Sequence, residues 1–108
     1  AWVGRLKTEL TRMVGILGQY PSVRRVILFG SLASGDAGSR SDLDLVIVQD
    51  TDRRFMDRLD EFYRLLTPTV ETDILVYTPR EWETLAETRE FVKKIASHGV
   101  TLYEAVSA

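Results

Sequence analysis

Two apolar runs joined by a loop of small residues stand near the middle of the chain, where residues 23–49 read VRRVILFGSLASGDAGSRSDLDLVIVQ. The first run, Val23–Phe29, is rich in β-branched residues and too short for a helix, so it predicts a β-strand. The second run, Leu43–Gln49, predicts another strand. Because side chains alternate along a strand, its faces differ, with Leu43, Leu45 and Ile47 on one and Asp42, Asp44, Val46 and Val48 on the other.

Three aspartates stand where burial in a strand would disfavour them. Asp42 and Asp44 leave the same face of the second strand, and Asp73 opens a third predicted strand, Asp73–Tyr77. Neighbouring carboxylates repel unless a cation compensates them, and hard cations such as Mg²⁺ prefer oxygen ligands. If the two strands are neighbours, the three carboxylates meet at one edge and suit a pair of metals in phosphoryl-type transfer.

The loop between the first two strands has the composition of a close backbone turn. Residues 30–41 contain three glycines and four serines. A short helical turn, Ser31–Gly35, is expected directly after the first strand, and free N–H groups at the start of a helix attract phosphate. Gly30 permits close approach and Ser31 adds a hydroxyl donor. Alone this pair is an ordinary turn, but beside the carboxylates it predicts a phosphate cradle.

Helical patterns flank these strands. Residues 1–18 carry an amphipathic stripe that Gly18 and Pro21 end. A second helix is expected to be capped by Asp52 and to end before Pro68.

The last third of the chain predicts a further helical stretch and a strand. Thr78 and Glu81 form a capping-box pattern, the apolar phase breaks near Thr88, and Val100–Tyr103 reads as a last strand. The whole pattern predicts an α/β (α+β) fold, a small mixed sheet of about four strands flanked by helices, in one domain over residues 1–108.

The amino-acid composition argues against several classes of protein. The 108 residues include 14 basic and 16 acidic ones, giving a net charge of -2, which argues against a protein that mainly binds a nucleic-acid backbone. Cysteine is absent, so thiolate metal sites and cysteine nucleophiles are excluded. The longest apolar run, Val26–Phe29, is far too short to span a membrane, and no leader pattern opens the chain. We therefore expect a cytoplasmic protein.

The motifs together resemble a known family. Gly30 and Ser31, ten intervening residues and then Asp42-x-Asp44 match the GS-x10-DxD signature of the polymerase-β-like nucleotidyltransferases. The segments LFGSLASGDAGSRSDLDLVIV, ETDILVY and HGVTLYE are similar to those of the small stand-alone members, the minimal nucleotidyltransferases. The resemblance extends from about Val23 to Glu104, and it implies the nucleotidyltransferase fold.

The resemblance also implies roles for the site residues. Asp42, Asp44 and Asp73 would hold two Mg²⁺ ions, with Asp73 also assisting deprotonation of the acceptor. Gly30 and Ser31 would hold the terminal phosphates of ATP. One departure stands out, because Ser34 occupies the place where many relatives have arginine, which removes a charge-assisted phosphate contact. Arg40 is a candidate replacement from the other end of the loop.

The acceptor is the open question. Relatives of this size resemble the antitoxin half of bacterial two-gene modules, whose partner is a HEPN protein modified on a tyrosine. We therefore expect a HEPN-family partner, with a contact surface drawn from Trp2, Val3, Trp82 and Phe91. Two alternatives are a non-catalytic antitoxin that acts by binding alone and a small-molecule nucleotidyltransferase that works as a homodimer.

Overall fold

The described part of the fold is built from four strands and five helices. The structure, a computed structural model, describes residues 1–106. In chain order its elements are α1 (Trp2–Leu17), β1 (Val23–Phe29), α2 (Gly30–Ser34), β2 (Leu43–Gln49), α3 (Phe55–Leu66), β3 (Thr72–Tyr77), α4 (Pro79–Thr88), α5 (Glu90–His98) and β4 (Val100–Glu104). The break predicted near Thr88 is confirmed as the boundary between α4 and α5.

The strands form one mixed sheet in the order β3-β2-β1-β4. β1 pairs antiparallel with both β2 and β4, whereas β2 and β3 run parallel. The parallel pair needs a crossover, which α3 supplies. The predicted mixed sheet of about four strands flanked by helices is therefore confirmed.

Each face of the sheet has its own apolar core. Leu43, Leu45 and Ile47 pack on one face with residues of α1 and α3. Val46 and Val48 pack on the opposite face with residues of α4 and α5. The alternation predicted for β2 is confirmed, and it places Asp44 on the α4–α5 face because Asp44 shares the parity of Val46.

The start of α3 differs from the prediction. The helix begins at Phe55, and the residue before it, Arg54, is extended and makes no side-chain cap. The Thr51 hydroxyl instead accepts a hydrogen bond from the Arg53 amide at 3.1 Å, which forms a local turn before the helix. The expectation that Asp52 caps this helix is wrong.

The predicted capping box at the start of α4 is confirmed. The Thr78 hydroxyl accepts from the Glu81 amide at 3.1 Å, and the Glu81 carboxylate accepts from the Thr78 amide at 2.8 Å. Glu81 also pairs with the buried Arg58 of α3 at 2.7 Å. This ion pair is the main cause of a lowered pKa at Glu81, and it ties α3 to α4.

Trp82 is a core residue and not a contact surface. Its side chain is only 6% exposed and packs with Tyr77, the ring centroids lying 6.0 Å apart. The expectation that Trp82 offers a contact surface is therefore wrong. Phe91 is 57% exposed and keeps that potential.

Among residues 1–106, no helix combines the length and the apolar character needed for a membrane span.

Candidate active site

The sheet aligns the ends of three segments in one row. Asp44 of β2 is the register partner of Phe29, the last residue of β1, on one side and of Asp73 in β3 on the other. Neighbouring strands lie about 4.8 Å apart, so Asp44 and Asp73 face each other across adjacent strands. The expectation that these two strands are neighbours is confirmed.

Gly30 brings the backbone directly against Asp44. Gly30 has a φ of +75°, and a Cβ atom built there would overlap Asp44 Oδ2 and lie 3.0 Å from Asp44 Cγ. Any other residue would be strained by this φ and would collide with the carboxylate. The glycine therefore lets the start of α2 and the Asp44 side chain share one small space.

Burial and neighbouring charge both act on Asp44. Desolvation is the main cause of a raised pKa at Asp44, followed by repulsion from Asp73 and Asp42. Asp44 is thus a carboxylate whose charge is disfavoured where it stands, as expected for a group that a cation compensates.

The carboxylates fit a divalent cation by chemistry, although they are not gathered around one point. Asp42 immediately precedes β2, Asp44 is half-buried and Asp73 is exposed. Among the described residues, no group of three His, Cys, Asp or Glu side chains is arranged to hold a metal ion. Repulsion keeps like charges apart, whereas oxygen ligands of this kind suit Mg²⁺. A cation shared by all three carboxylates therefore requires their side chains to close together.

Ser41 fastens the loop that leads into Asp42. Its hydroxyl accepts from the Gly38 amide at 2.8 Å and lies 2.9 Å from the Ser31 hydroxyl. Its carbonyl accepts from the indole N–H of Trp2 at 2.7 Å. Ser41 thus joins α1, α2 and the loop one residue before a candidate ligand. Nothing in a loop rich in serine distinguishes this serine from the others, so its role has no signal in the sequence.

The Ser31 hydroxyl has a partner inside the loop, and this affects its predicted role. A hydroxyl carries one hydrogen, so Ser31 can donate to a phosphate only if the hydrogen between the two serines comes from Ser41. Ser41 can supply it, because the Gly38 amide occupies only an acceptor position of its hydroxyl. Ser34, the loop residue at which the sequence departs from the resemblance, donates to Asp36 Oδ2 at 3.0 Å, and Arg40 is exposed.

Tyr63 of α3 closes the free edge of β3 beside Asp73. Its hydroxyl donates to the Thr72 carbonyl at 2.7 Å and accepts from the Ile74 amide at 3.3 Å. β3 is an edge strand, and these are the backbone groups on either side of Asp73 that point away from β2. Sequence reasoning did not identify this role, because only the packing of α3 on the sheet brings Tyr63 there.

A cavity of about 420 Å³ borders the site between α2 and α5. Phe29, Phe91 and Ile95 supply apolar walls, and Gly30 joins the cavity to the Asp44 site. The rings of Phe29 and Phe91 meet edge to face, with centroids 6.0 Å apart. Lys94 and His98 of α5 add polar groups to the lining. Phe91 therefore lines the same cavity as Gly30, the residue that meets the Asp44 carboxylate.

Comparisons with known proteins agree with this architecture. A family model described as polymerase beta, nucleotidyltransferase matches residues 12–107. The chain belongs to this family. The nucleotidyltransferase resembles in fold a solved structure of a provisionally assigned nucleotidyltransferase from Sulfolobus solfataricus, with a TM-score of 0.69 and 20% identity over 94% of this chain and 83% of the other. A search of curated proteins gave no match.

Family membership covers the residues that form the site. The matched range includes the loop that holds Gly30 and Ser31 and all three strands that carry or adjoin the aspartates. The fold is therefore supported by both the structure and the comparisons, and membership of the nucleotidyltransferase family rests on the family model.

Proposed function

We propose that this nucleotidyltransferase transfers AMP from ATP to a tyrosine hydroxyl of a HEPN-family partner, and so acts as the antitoxin of a toxin–antitoxin pair. The observation that carries the transferase part is the register pairing of Asp44 with Asp73 beside Gly30. It puts Asp44, whose charge is disfavoured where it stands, beside the exposed Asp73 and next to the N-terminus of α2. Family membership supports the same reaction class.

The proposed roles follow from the positions of the residues. Gly30 lets phosphate approach the backbone amides at the start of α2, and Ser31 adds a hydroxyl. Asp42, Asp44 and Asp73 hold the divalent cations. When bound there, two Mg²⁺ ions would neutralise phosphate charge and orient the reacting oxygens. Without that compensation, the carboxylates would repel the triphosphate.

The reaction balances as a displacement at the α-phosphorus. The acceptor oxygen forms a bond to this phosphorus, the bond to the bridging oxygen of the β-phosphate breaks, and pyrophosphate leaves. The hydroxyl proton passes to a base. Asp73 is suited to accept it, because its carboxylate is exposed on an edge strand, whereas Asp44 is half-buried between two strands.

The open position of Asp73 supports an acceptor that another protein presents. A tyrosine from a second chain can reach an exposed edge strand without entering a closed cavity. Phe91, 57% exposed beside the cavity between α2 and α5, offers an apolar contact near the same site. An adenylyl group on the tyrosine would add bulk and a negative phosphodiester, which would block an RNA-cleaving site.

The proposal is tested by intact-mass spectrometry of any HEPN-family protein that co-purifies with this chain, after incubation with ATP and Mg²⁺. We expect a gain of one adenylyl group that is lost with Asp44→Asn and kept with Asp52→Asn, a matched change at an exposed aspartate. Stable binding with no mass gain would favour the non-catalytic antitoxin. Transfer to a small alcohol or sugar, with none to protein, would favour the homodimeric small-molecule enzyme.

A further inference from the structure

We infer that Tyr63 is a positioning residue for Asp73, acting through the backbone of β3. The inference rests on the proposed function, since it assumes that Asp73 takes part in binding cations and acceptor. Its structural basis is the double hydrogen bond from one phenol group to the backbone on both sides of that aspartate.

β3 needs such support because it is an edge strand. β3 is bonded to β2 on one side only, and the Leu43 amide donates to the Glu71 carbonyl at 3.0 Å, so odd-numbered residues of β3 direct their backbone groups toward β2. The backbone groups of Thr72 and Ile74 then point outward. An edge strand with unpaired groups is free to fray, which would move Asp73 relative to Asp44.

Tyr63 supplies both outward groups with partners at once. Its hydroxyl donates to the Thr72 carbonyl at 2.7 Å and accepts from the Ile74 amide at 3.3 Å, as a neighbouring strand would do. Its ring is carried by α3, which is anchored to the core by the fully buried Phe62 and Leu66. The backbone that carries Asp73 is therefore held by hydrogen bonds to the packed helix α3 as well as to β2.

The matched control is Tyr20. Its hydroxyl also makes a hydrogen bond within the fold, to Glu61, and Tyr20→Phe removes one hydroxyl as Tyr63→Phe does. Glu61 bonds to Gln49, which lies five residues beyond Asp44, or about 16 Å along β2. A general loss of stability would appear in both variants, whereas an effect on Asp73 would appear in Tyr63→Phe alone.

The test combines amide hydrogen exchange with Mn²⁺ titration by electron paramagnetic resonance in the presence of a non-hydrolysable ATP analogue. In Tyr63→Phe we expect the Ile74 amide to exchange about fivefold faster, as the loss of one hydrogen bond implies. We also expect Mn²⁺ affinity to fall about tenfold, the lower end for residues that support a ligand. Tyr20→Phe should change neither quantity.

The outcomes separate the two proposals. Unchanged Ile74 exchange in Tyr63→Phe would show that the bridge does not hold the strand. Faster exchange with unchanged Mn²⁺ affinity, or an equal loss in Tyr20→Phe, would overturn the positioning role. If the wild-type protein bound no Mn²⁺–nucleotide while Ile74 remained protected through Tyr63, the proposed function would fail, and the exchange result would show that the bridge itself exists.

Discussion

The Asp44 carboxylate occupies the space that a side chain at Gly30 would need: a Cβ atom at Gly30 would overlap Asp44 Oδ2 and lie 3.0 Å from Cγ. The contact brings together the two parts of the GS-x10-DxD pattern, the Gly-Ser pair and the aspartates. It explains why a glycine is needed where β1 ends and α2 begins.

Replacement of this glycine gives the first prediction. Gly30→Ala should destabilise the fold and abolish nucleotide binding, because alanine adds both backbone strain and a collision with Asp44. Gly35→Ala is the matched control, since Gly35 has a similar φ of +84° but open space around it. Strain alone costs about 1–2 kcal/mol, so Gly35→Ala should lose only that amount and keep nucleotide binding. Urea unfolding and nucleotide titration measure both effects, and equal nucleotide loss in the two variants would contradict the role of the collision.

Asp44→Asn should stabilise the protein at neutral pH while removing activity. The folded pKa of Asp44 is raised above its ordinary value of 3.8, mainly by burial, so the folded state favours the protonated acid. Stability from this group is therefore greatest below that value and is lost as pH rises through the raised folded pKa. Asparagine removes the charge and flattens this pH dependence. Unfolding free energies at acidic and neutral pH test this, and an unstable Asp44→Asn at pH 7 would contradict it.

Glu9 should stabilise the protein more at neutral than at acidic pH, the opposite of the pH dependence expected for Asp44. This buried carboxylate pairs with Arg12 at 2.6 Å and accepts from the Thr69 amide at 2.6 Å, which holds α1 to the turn before β3. The Arg12 hydrogen bond is the main cause of a pKa lowered from 4.5 to about 2. The contribution is therefore present above pH 4.5 and lost as pH falls toward 2.

Glu9→Gln should lower the unfolding free energy at pH 7 by about 2 kcal/mol, the scale of hydrogen bonds to charged groups. The difference from wild type should shrink as pH falls toward the lowered pKa of Glu9. Lys7→Gln, an exposed change on the same helix, is the control and should have little effect. A pH-independent difference would show that packing, not charge, explains the loss.

Ser31→Ala should weaken nucleotide binding by about 1 kcal/mol, or up to about 3 if the phosphate oxygen that it contacts is charged. Ser41→Ala should also weaken nucleotide binding, because it removes the partner that orients the Ser31 hydroxyl. Ser39→Ala, in the exposed part of the loop, should bind as wild type does. Titration calorimetry with ATP and Mg²⁺ compares the three, and unchanged affinity in Ser31→Ala would remove the hydroxyl from the cradle.

The sequence pattern correctly predicted those features that depend on interactions between residues close together in the chain. The alternation in β2 and the Thr78–Glu81 capping box are set by neighbours in sequence, and both are confirmed. The wrong expectation for Trp82 and the omission of Tyr63 have a different origin. Trp82 is buried, and Tyr63 reaches β3, only because helices pack on the sheet, and such contacts leave no periodic mark in the chain.

The hydrogen bonds of Glu9 are a further example of contacts that the sequence pattern does not predict. Glu9 and Arg12 are three residues apart on α1 and look like an ordinary exposed helix pair. Only the fold brings the Thr69 amide, sixty residues away in the chain, to the same carboxylate. Burial then makes the pair important for stability.

The central claim is nucleotidyl transfer, and the position of a radioactive label tests it most directly. The purified protein with its partner is incubated with Mg²⁺ and ATP labelled at either the α- or the γ-phosphorus. We predict transfer of the α-label to the partner, no transfer of the γ-label, and loss of the α-signal in Asp44→Asn. Transfer of the γ-label, or an α-signal that Asp44→Asn leaves undiminished, would contradict the account.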